Sequence, residues 1–270
     1  MRGPTSFNRG DRFDKNQRKE VITVADGIDC ATPLNAATAK AIAAAGYKYV
    51  ARYLVPLGYA WKRLTPAEAD AISSAGMKIV SVYETTANRP AGGKASGEAD
   101  GTAAFREAQT IGQPAGSAIY FAVDYDAQPQ DYDEIEAYLH AASAQTPGYE
   151  AGVYGSYAVV EEMAKRGACK HFWQTYAWSR GKKSVHANLY QYQNNVKLAG
   201  ITVDLNQSFG NEGWWNTKKQ EGIMHVSPED AVKIIGFLQA AWKAAKTQTD
   251  KDEYHRLANA IRRAAGMPEE

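Results

Sequence analysis

Eight short β-like runs follow one another along residues 21–207, and helix-like runs separate the first six of them. Regular alternation of strands and helices is typical of a parallel sheet, and eight such units fit a closed barrel. The sequence therefore predicts an α/β fold, a (β/α)8 TIM-like barrel. The links after the sixth and seventh runs are short and rich in Gly and Asn, so we expect an irregular barrel there. The β-like runs cover residues 27–30, 47–54, 78–84, 118–124, 149–155, 171–177, 187–192 and 202–207.

A doubly wound open sheet is the alternative interpretation of the same alternation. Dinucleotide-binding sheets of that kind carry a Gly-rich phosphate turn after the first strand. The corresponding turn here reads CATPLN over residues 30–35 and contains no glycine. This turn favours the closed barrel.

The length of 270 residues leaves room for an appendage beside a barrel of about 250 residues. We expect a disordered lead-in over residues 1–20, a barrel over residues 21–222 and a C-terminal helical hairpin over residues 226–270. The hairpin begins at Ser227-Pro228-Glu229-Asp230, a strong helix start. It is either an amphipathic pair that packs on itself or on the barrel, or a small module for targeting or self-association.

Composition excludes several classes of function. Lys and Arg total 31 against 30 Asp and Glu, and this balance does not predict a nucleic-acid partner. No apolar run approaches the roughly 20 residues of a membrane span. The sequence has two cysteines, too few for a disulfide scaffold or a Cys-rich zinc site. It also contains no HxH or HExxH pair, the motifs typical of a zinc hydrolase. We therefore expect no metal and no cofactor.

Carboxylates stand near the C-terminal ends of four predicted strands, the face at which barrels of this kind carry their active sites. Side chains alternate along a strand, so AIYFAVDYD directs two of these carboxylates inward together. Each one alone is as well explained by capping a loop. Together, like charges a few ångströms apart raise at least one pKa, as a general acid beside an ionised partner requires. The candidate catalytic residues are Asp29, Glu84, Asp124, Asp126 and Asp204.

Aromatic and amide side chains near the same predicted strand ends favour a carbohydrate substrate. Sugar rings present C–H faces that pack on aromatic planes, while polar side chains bind hydroxyl groups. Core packing is the alternative explanation, and we expect it for about half of the aromatic residues. The candidate substrate-binding residues are Arg52, Tyr83, Tyr154, Trp173, Gln191 and Tyr192.

Three motifs make this sequence similar to a known family. GID at the first strand, IYFAVDYD at the fourth and QYQNN…GITVDLNQ at the seventh and eighth resemble the glycoside-hydrolase-like barrel domain of unknown function found in bacterial wall proteins and phage lysins. That domain is related to the family 25 lysozymes, which cleave the glycan of peptidoglycan. The resemblance covers about residues 22–215. It implies that Asp29, Asp124 with Asp126, and Asp204 match the lysozymes' acidic residues.

The sequence departs from the lysozyme pattern at Asp126, where those enzymes carry the Glu that acts as acid. The shorter side chain ends further from a glycosidic oxygen, so Glu84, which is typical of the glycoside-hydrolase-like group, is the other candidate donor. The resemblance implies a muramidase-like lysin acting on peptidoglycan; the alternative is a wall-binding barrel with weak or lost chemistry. The polar N-terminus reads as no secretory signal. We therefore expect the protein in the cell wall or outside the cell after release, and in the cytoplasm until lysis if it is a phage lysin.

Overall fold

The computed structural model describes residues 25–218, 227–265, 267 and 268. The predicted lead-in over residues 1–20 lies outside the described residues. The chain divides into two units between Thr217 and Lys218, and each is described by itself.

The first unit is a closed barrel of eight strands that pair in chain order, as predicted. Five helices connect the first six strands. In three of these connections a short 3-10 turn precedes the helix. The strands are β1 (Ala25–Asp29), β2 (Tyr49–Tyr53), β3 (Lys78–Tyr83), β4 (Ala118–Ala122), β5 (Glu150–Gly155), β6 (His171–Thr175), β7 (Leu189–Leu198) and β8 (Ile201–Ser208). The helices are α1 (Ala36–Ala44), α2 (Pro66–Ser74), α3 (Gly93–Ile111), α4 (Tyr132–Ala144) and α5 (Tyr157–Arg166), and the 3-10 turns are Leu57–Tyr59, Arg89–Gly92 and Pro129–Asp131.

Local sequence sets the ends of these helices. The side chains of Asn35, Thr65 and Ser156 each accept a hydrogen bond from the backbone N–H three residues later, at the starts of α1, α2 and α5. Such caps satisfy N–H groups that have no partner inside the helix. Gly112 and Gly167 end α3 and α5 in the left-handed conformation, which glycine adopts without steric cost.

Side-chain alternation divides the core into two layers. In β4, Ile119 and Phe121 point outward into the layer shared with the helices. Tyr120 and Ala122 point inward and pack inside the barrel. The inner layer consists of bulky and small residues in turn, so the barrel interior is filled and a substrate can enter only at its ends.

The last strand corrects the expectation of a fully parallel barrel. β8 runs antiparallel to β7 on one side and to β1 on the other. A two-residue turn at Ala199 and Gly200, both with positive φ, joins β7 to β8. So short a link permits an antiparallel hairpin and leaves no length for a crossover helix. The irregularity expected in the last units therefore takes the form of a long hairpin.

The segment after β8 closes the N-terminal end of the barrel. Trp215 pairs antiparallel with Ile79 at the start of β3 through two backbone hydrogen bonds of 2.8 and 2.9 Å. The buried hydroxyl of Tyr120 donates to the backbone oxygen of Glu212 at 2.8 Å. These contacts plug one end of the barrel and leave the C-terminal ends of the parallel strands as its mouth.

The second unit contains the predicted helical hairpin, formed by α6 (Pro228–Ala244) and α7 (Gln248–Ala264). Ser227 caps α6 by accepting from the backbone N–H of Asp230 at 3.1 Å. Buried alanine and isoleucine side chains join the two helices, with Ala231, Ile235 and Ala258 at the centre. Within the described residues, neither these helices nor those of the barrel combine the length and apolar character needed to cross a bilayer.

Candidate active site

A cavity of about 150 Å³ opens at the mouth of the barrel. Residues from each of the six strands β1 to β6 or from the positions just after them, and from the β7–β8 hairpin, line it. The cavity brings together four of the five predicted carboxylates with three of the predicted substrate-binding side chains. Its lining residues are Asp29, Tyr53, Val82, Glu84, Ala122, Asp124, Tyr154, Trp173, Gln191, Asn194 and Asp204.

Asp29 is the last residue of β1 and is buried at the floor of the cavity. Its Oδ2 accepts hydrogen bonds from Gln191 Nε2 at 2.9 Å and from Asn206 Nδ2 at 2.7 Å. Burial raises the pKa of Asp29 to about 7, and the charge of Asp204 adds to the rise, while the two amides oppose it. Near neutral pH this carboxyl therefore exists in both protonated and ionised forms.

Asp204 reaches the mouth because β8 is antiparallel. It is the register partner of Asp29 on β1, and its Oδ1 accepts from the backbone N–H of Asn195 at 2.8 Å. Burial raises the pKa of Asp204, and the Asn195 hydrogen bond counteracts that rise. The predicted inward direction of its side chain is what the structure shows. Its strand, however, passes the mouth in mid-course and does not end there.

Asp124 and Glu84 form the other acidic side of the cavity. Asp124 lies two residues beyond the end of β4, and Glu84 directly follows β3. Burial raises the pKa of Asp124 to about 6, with repulsion from Glu84 adding to it, and the positive charge of Lys62 opposes the rise. A carboxyl group in this state can hold a proton in weakly acidic solution and release it to a substrate.

Lys62 is a site residue that the sequence analysis missed. It is 5% exposed, and its Nζ lies 3.5 Å from Glu84 Oε2. The same Nζ lies 4.5 Å from the ring centre of Tyr53 and 5.5 Å from that of Trp61, within cation–π range. A lysine in a connection between a strand and a helix gives no sequence signal of this burial, because its surroundings come from three separate segments.

The orientation of Gln191 is fixed by two hydroxyl groups. Its Oε1 accepts from Tyr154 at 3.0 Å and from Thr175 at 2.8 Å, which directs its amide nitrogen to Asp29 and Asp204. The Gln191 side chain thereby connects the hydroxyl of Tyr154 with both carboxylates.

Tyr154 and Trp173 form an aromatic wall of the cavity, held by a ring contact and a hydrogen bond. The ring centres of Tyr154 and Trp173 lie 4.9 Å apart in an edge-to-face arrangement, and Trp173 Nε1 donates to Asn206 Oδ1 at 2.8 Å. Asn194, on the β7–β8 hairpin, also lines the cavity. Its buried Oδ1 has no hydrogen-bond partner among the described residues, which leaves an acceptor at the cavity for a ligand.

Asp126 does not line the cavity, contrary to the prediction. Its side chain is exposed, and its backbone oxygen accepts from Gln128 Nε2 at 2.9 Å. The prediction extended strand alternation to residue 126, whereas β4 ends at Ala122. Beyond that point the chain turns, and alternation no longer decides the direction of a side chain.

Arg52 lies on the outer face of β2 and is fully buried. Its Nε is 2.6 Å from Glu68 Oε1 on α2, and its Nη1 donates to the backbone oxygen of Cys30. These contacts tie β2 to α2 and to the chain that leaves β1. Arg52 is therefore held within the protein. It does not line the cavity, contrary to the prediction that it binds substrate.

Tyr83 and Tyr192 also lie away from the cavity. The Tyr83 ring is buried in the outer layer, 6.1 Å from the ring of Phe121. Tyr192 lies within the first shift of the β7–β8 register, between the paired residues Gln191 and Gln193. Burial and the nearby Asp26 and Tyr47 raise its pKa. Neither tyrosine is positioned to contact a ligand in the cavity.

Within the described parts of the chain, no group of three or more His, Cys, Asp and Glu residues has the spacing to hold a metal ion.

A family model described as "Rv2525c-like, glycoside hydrolase-like domain" matches residues 40–208. The match includes Glu84, Asp124 and Asp204 and begins after Asp29. It covers more than half of the chain and extends from the middle of α1 to the end of β8.

A curated relative, the uncharacterized protein FadG of Bacillus subtilis (strain 168), is 30% identical over 155 residues. The alignment covers 52% of this chain and 26% of FadG. This chain therefore matches about a quarter of the length of that relative.

Solved structures share the fold. The Tat-secreted protein Rv2525c of Mycobacterium tuberculosis, crystallised with L-tartrate, is 26% identical with a TM-score of 0.66, covering 71% of this chain and 98% of that chain. The modular autolysin LytC of Streptococcus pneumoniae, solved with a synthetic peptidoglycan ligand, is 13% identical with a TM-score of 0.51. That similarity covers 71% of this chain and 47% of LytC and concerns the fold alone.

Proposed function

The chain belongs to the Rv2525c-like family of glycoside hydrolase-like domains, and on that premise we propose that its barrel hydrolyses a glycosidic bond in a cell-wall glycan, as a muramidase-like lysin of peptidoglycan. The observation that carries the proposal is the shared cavity of Asp29, Glu84, Asp124 and Asp204. Burying several like charges together disfavours their joint ionisation, so a fold that keeps them retains protons for chemistry near neutral pH.

Asp124 is the proposed general acid. Its pKa is raised to about 6 by burial and by Glu84, so it carries a proton in weakly acidic solution. It would donate that proton to the glycosidic oxygen as the bond to the anomeric carbon breaks. Glu84, beside the positive charge of Lys62, supplies the negative charge that keeps the proton on Asp124.

Asp204 is the proposed second carboxylate, on the other acidic side of the cavity with Asp29. An ionised Asp204 would stabilise positive charge at the anomeric carbon and receive the proton of the attacking water. Gln191 links Asp204 to Asp29, so Asp29 would tune the charge of that side. The water oxygen ends on the anomeric carbon and the leaving oxygen keeps the proton of Asp124, which balances the hydrolysis.

The walls of the cavity support a sugar as the substrate. Tyr154 and Trp173 present aromatic surface, and Asn194 offers its unpartnered oxygen to a hydroxyl or acetamido group. Peptidoglycan is the first substrate to test, since the autolysin that shares the fold was solved with a synthetic peptidoglycan ligand. Rv2525c is Tat-secreted, which supports the proposal that this protein also acts outside the cytoplasm.

A wall-binding barrel without hydrolysis is the second candidate function. Asp126, at the position of the lysozymes' acid, is exposed and outside the cavity. The cavity of about 150 Å³ is also smaller than the roughly 300–1,000 Å³ of most ligand pockets. Both observations favour binding of one sugar unit without cleavage.

Release of reducing ends from purified peptidoglycan, with mass analysis of the fragments, tests the two functions. We expect new reducing ends from the wild-type protein and none from Asp124→Asn. Sedimentation of the protein with insoluble peptidoglycan, in the absence of new reducing ends, would support the binding function. Neither binding nor cleavage would contradict both.

A further inference from the structure

We infer that two exposed tryptophans, Trp61 and Trp178, bind sugar rings on opposite sides of the barrel mouth. The protein would then hold a glycan strand on both sides of the bond over the carboxylates. The inference rests on the proposed carbohydrate substrate and adds to it a requirement for an oligosaccharide, with binding within the strand and not only at its end.

Trp61 stands on the β2–α2 connection, and its side chain is 64% exposed. The following residue, Lys62, turns into the site, where its Nζ lies 5.5 Å from the Trp61 ring and 3.5 Å from Glu84. Through Lys62, the indole is therefore connected to Glu84, which lines the acidic cavity.

Trp178 stands on the β6–β7 connection, three residues after β6, and is 41% exposed. It has a φ of 54°, a left-handed conformation that residues other than glycine rarely adopt. The next residue, Ser179, is buried and holds the turn, because its Oγ donates to the Thr175 oxygen at 2.5 Å and accepts from the Tyr157 N–H at 2.9 Å. This turn holds the indole outward.

The backbone next to Trp178 is linked to the cavity by hydrogen bonds. The hydroxyl of Thr175 accepts from the Ala177 N–H at 3.2 Å and donates to Gln191 Oε1 at 2.8 Å. Gln191 in turn donates to Asp29 and Asp204. A short chain of hydrogen bonds thus joins the residue before Trp178 to the carboxylates.

The closed topology places the two tryptophans across the mouth from each other. In a ring of eight strands, β2 and β6 are separated by three strands in either direction. The four carboxylates of the cavity come from β8 and from the ends of β1, β3 and β4. A linear molecule that contacts both indoles must therefore cross the mouth over the carboxylates.

The chemistry of this surface fits a glycan. Two isolated indoles with acidic and amide groups between them do not form the contiguous apolar patch that marks most protein interfaces. Sugar rings present C–H faces to an indole and hydroxyl groups to carboxylates and amides. A molecule that alternates these features along its length matches the groups across the whole mouth.

The test measures how affinity depends on glycan length, in the Asp124→Asn background so that the probe survives. We use the dimer and the hexamer of N-acetylglucosamine and measure binding by calorimetry. The background protein should bind the hexamer more tightly than the dimer. Trp61→Ala and Trp178→Ala should each weaken hexamer binding about three- to tenfold and reduce the dependence on length. Val185→Ala, a 92% exposed apolar residue on the β6–β7 connection, is the matched control and should bind as the background does.

Trp61→Phe and Trp178→Phe keep an aromatic ring and should recover most of the hexamer affinity, which separates stacking from misfolding. Equal hexamer binding by the background and both alanine variants would overturn the inference. The alanine variants could lose the dependence on length while the wild-type protein, which carries Asp124, releases no reducing ends. That combination would support the inference and contradict the proposed hydrolysis. Hydrolysis with unchanged length dependence would do the reverse.

Discussion

Asp29 and Asp204 are register partners on the antiparallel strands β1 and β8, and the same nitrogen, Gln191 Nε2, donates to both of them at 2.9 and 3.3 Å. The two carboxyl groups are therefore close enough to interact electrostatically, in surroundings largely shielded from water. Burial first, and then Asp204, raise the pKa of Asp29 to about 7. Groups coupled this closely titrate as a pair, so substitution of one changes the protonation of the other.

The raised pKa of Asp29 predicts a specific pH dependence of stability. Between about pH 4 and pH 7 the folded protein keeps a proton on Asp29 that the unfolded chain releases. The contribution of protonated Asp29 to the free energy of unfolding is therefore fully present at low pH and is lost as pH rises through about 7. Asp29→Asn removes this titration. We expect the variant to equal the wild type near pH 4 and to exceed its free energy of unfolding by up to about 4 kcal/mol at pH 8. Urea unfolding across this range measures both; a variant that is less stable at every pH contradicts the assignment.

Asp124→Asn and Glu84→Gln are expected to abolish most glycan cleavage while leaving the fold intact. Removing the proton donor should lower the rate about 10²–10⁴-fold. Removing the charge of Glu84 lowers the pKa of Asp124, so a smaller fraction of Asp124 carries a proton to donate at any given pH. Reducing-end release measures both, with thermal melting to check folding. The exposed Asp126 supplies the matched control, and Asp126→Asn should cleave at nearly the wild-type rate. A loss of activity in the control alone would place the acid outside the cavity.

Lys62→Met should move the activity profile along the pH axis. The charge of Lys62 lowers the pKa of Asp124, so its removal raises that pKa and keeps the acid protonated at higher pH. We expect the alkaline limb of kcat/KM to shift upward by about 0.5–1 pH unit. The exposed Lys40 offers a control of equal charge, and Lys40→Met should leave the limb in place. A downward shift in Lys62→Met would mean that Asp124 is not the acid.

The Arg52–Glu68 pair is expected to govern stability and not substrate binding. Both side chains are buried, and loss of one partner leaves the other charge without compensation, which typically costs about 3–5 kcal/mol. Arg52→Met should therefore lower the free energy of unfolding by about that amount. The double variant Arg52→Met with Glu68→Met should recover part of it. Glycan affinity of the folded fraction, measured by calorimetry, should be unchanged; a selective loss of affinity would restore Arg52 to the binding site.

Strand ends made most of the candidate site predictable. Asp29, Glu84 and Asp124 were found because parallel strands deliver their terminal residues to one mouth, whatever the details of packing. Tyr83 lies in β3, where its neighbour Val82 points into the cavity. Because side chains alternate along a strand, Tyr83 points outward, and the prediction that it binds substrate did not take this alternation into account. Asp126 was misplaced for the opposite reason, since alternation was applied beyond the end of the strand.

The remaining site residues depend on contacts between distant segments. Lys62 is buried by Tyr53, Trp61 and Glu84, which no local pattern reveals. The antiparallel course of β8 did have a sequence signal. Alternating residues flank Ala199-Gly200, a dipeptide that can adopt the positive φ angles of a tight hairpin turn.

The C-terminal hairpin is expected to be separable from the barrel chemistry. The eight strands are complete at Ser208, and the helices α6 and α7 bury their own apolar residues around Ile235. Yet α6 also leaves apolar side chains exposed, among them Phe237 at 77%. Such residues suit self-association or attachment to the wall, and we propose one of these as the role of the hairpin.

Removal of residues 226–270 tests this division. The shortened chain should melt cooperatively within a few degrees of the full chain and retain reducing-end release from soluble glycan. Sedimentation velocity should show a smaller assembly, or co-sedimentation with insoluble peptidoglycan should decrease. Phe237→Ser in the full chain is the matched single change and should reproduce part of that loss, because it removes exposed apolar surface without shortening the protein. A truncated chain that is insoluble or melts far below the full chain would show that the hairpin belongs to the core of the barrel.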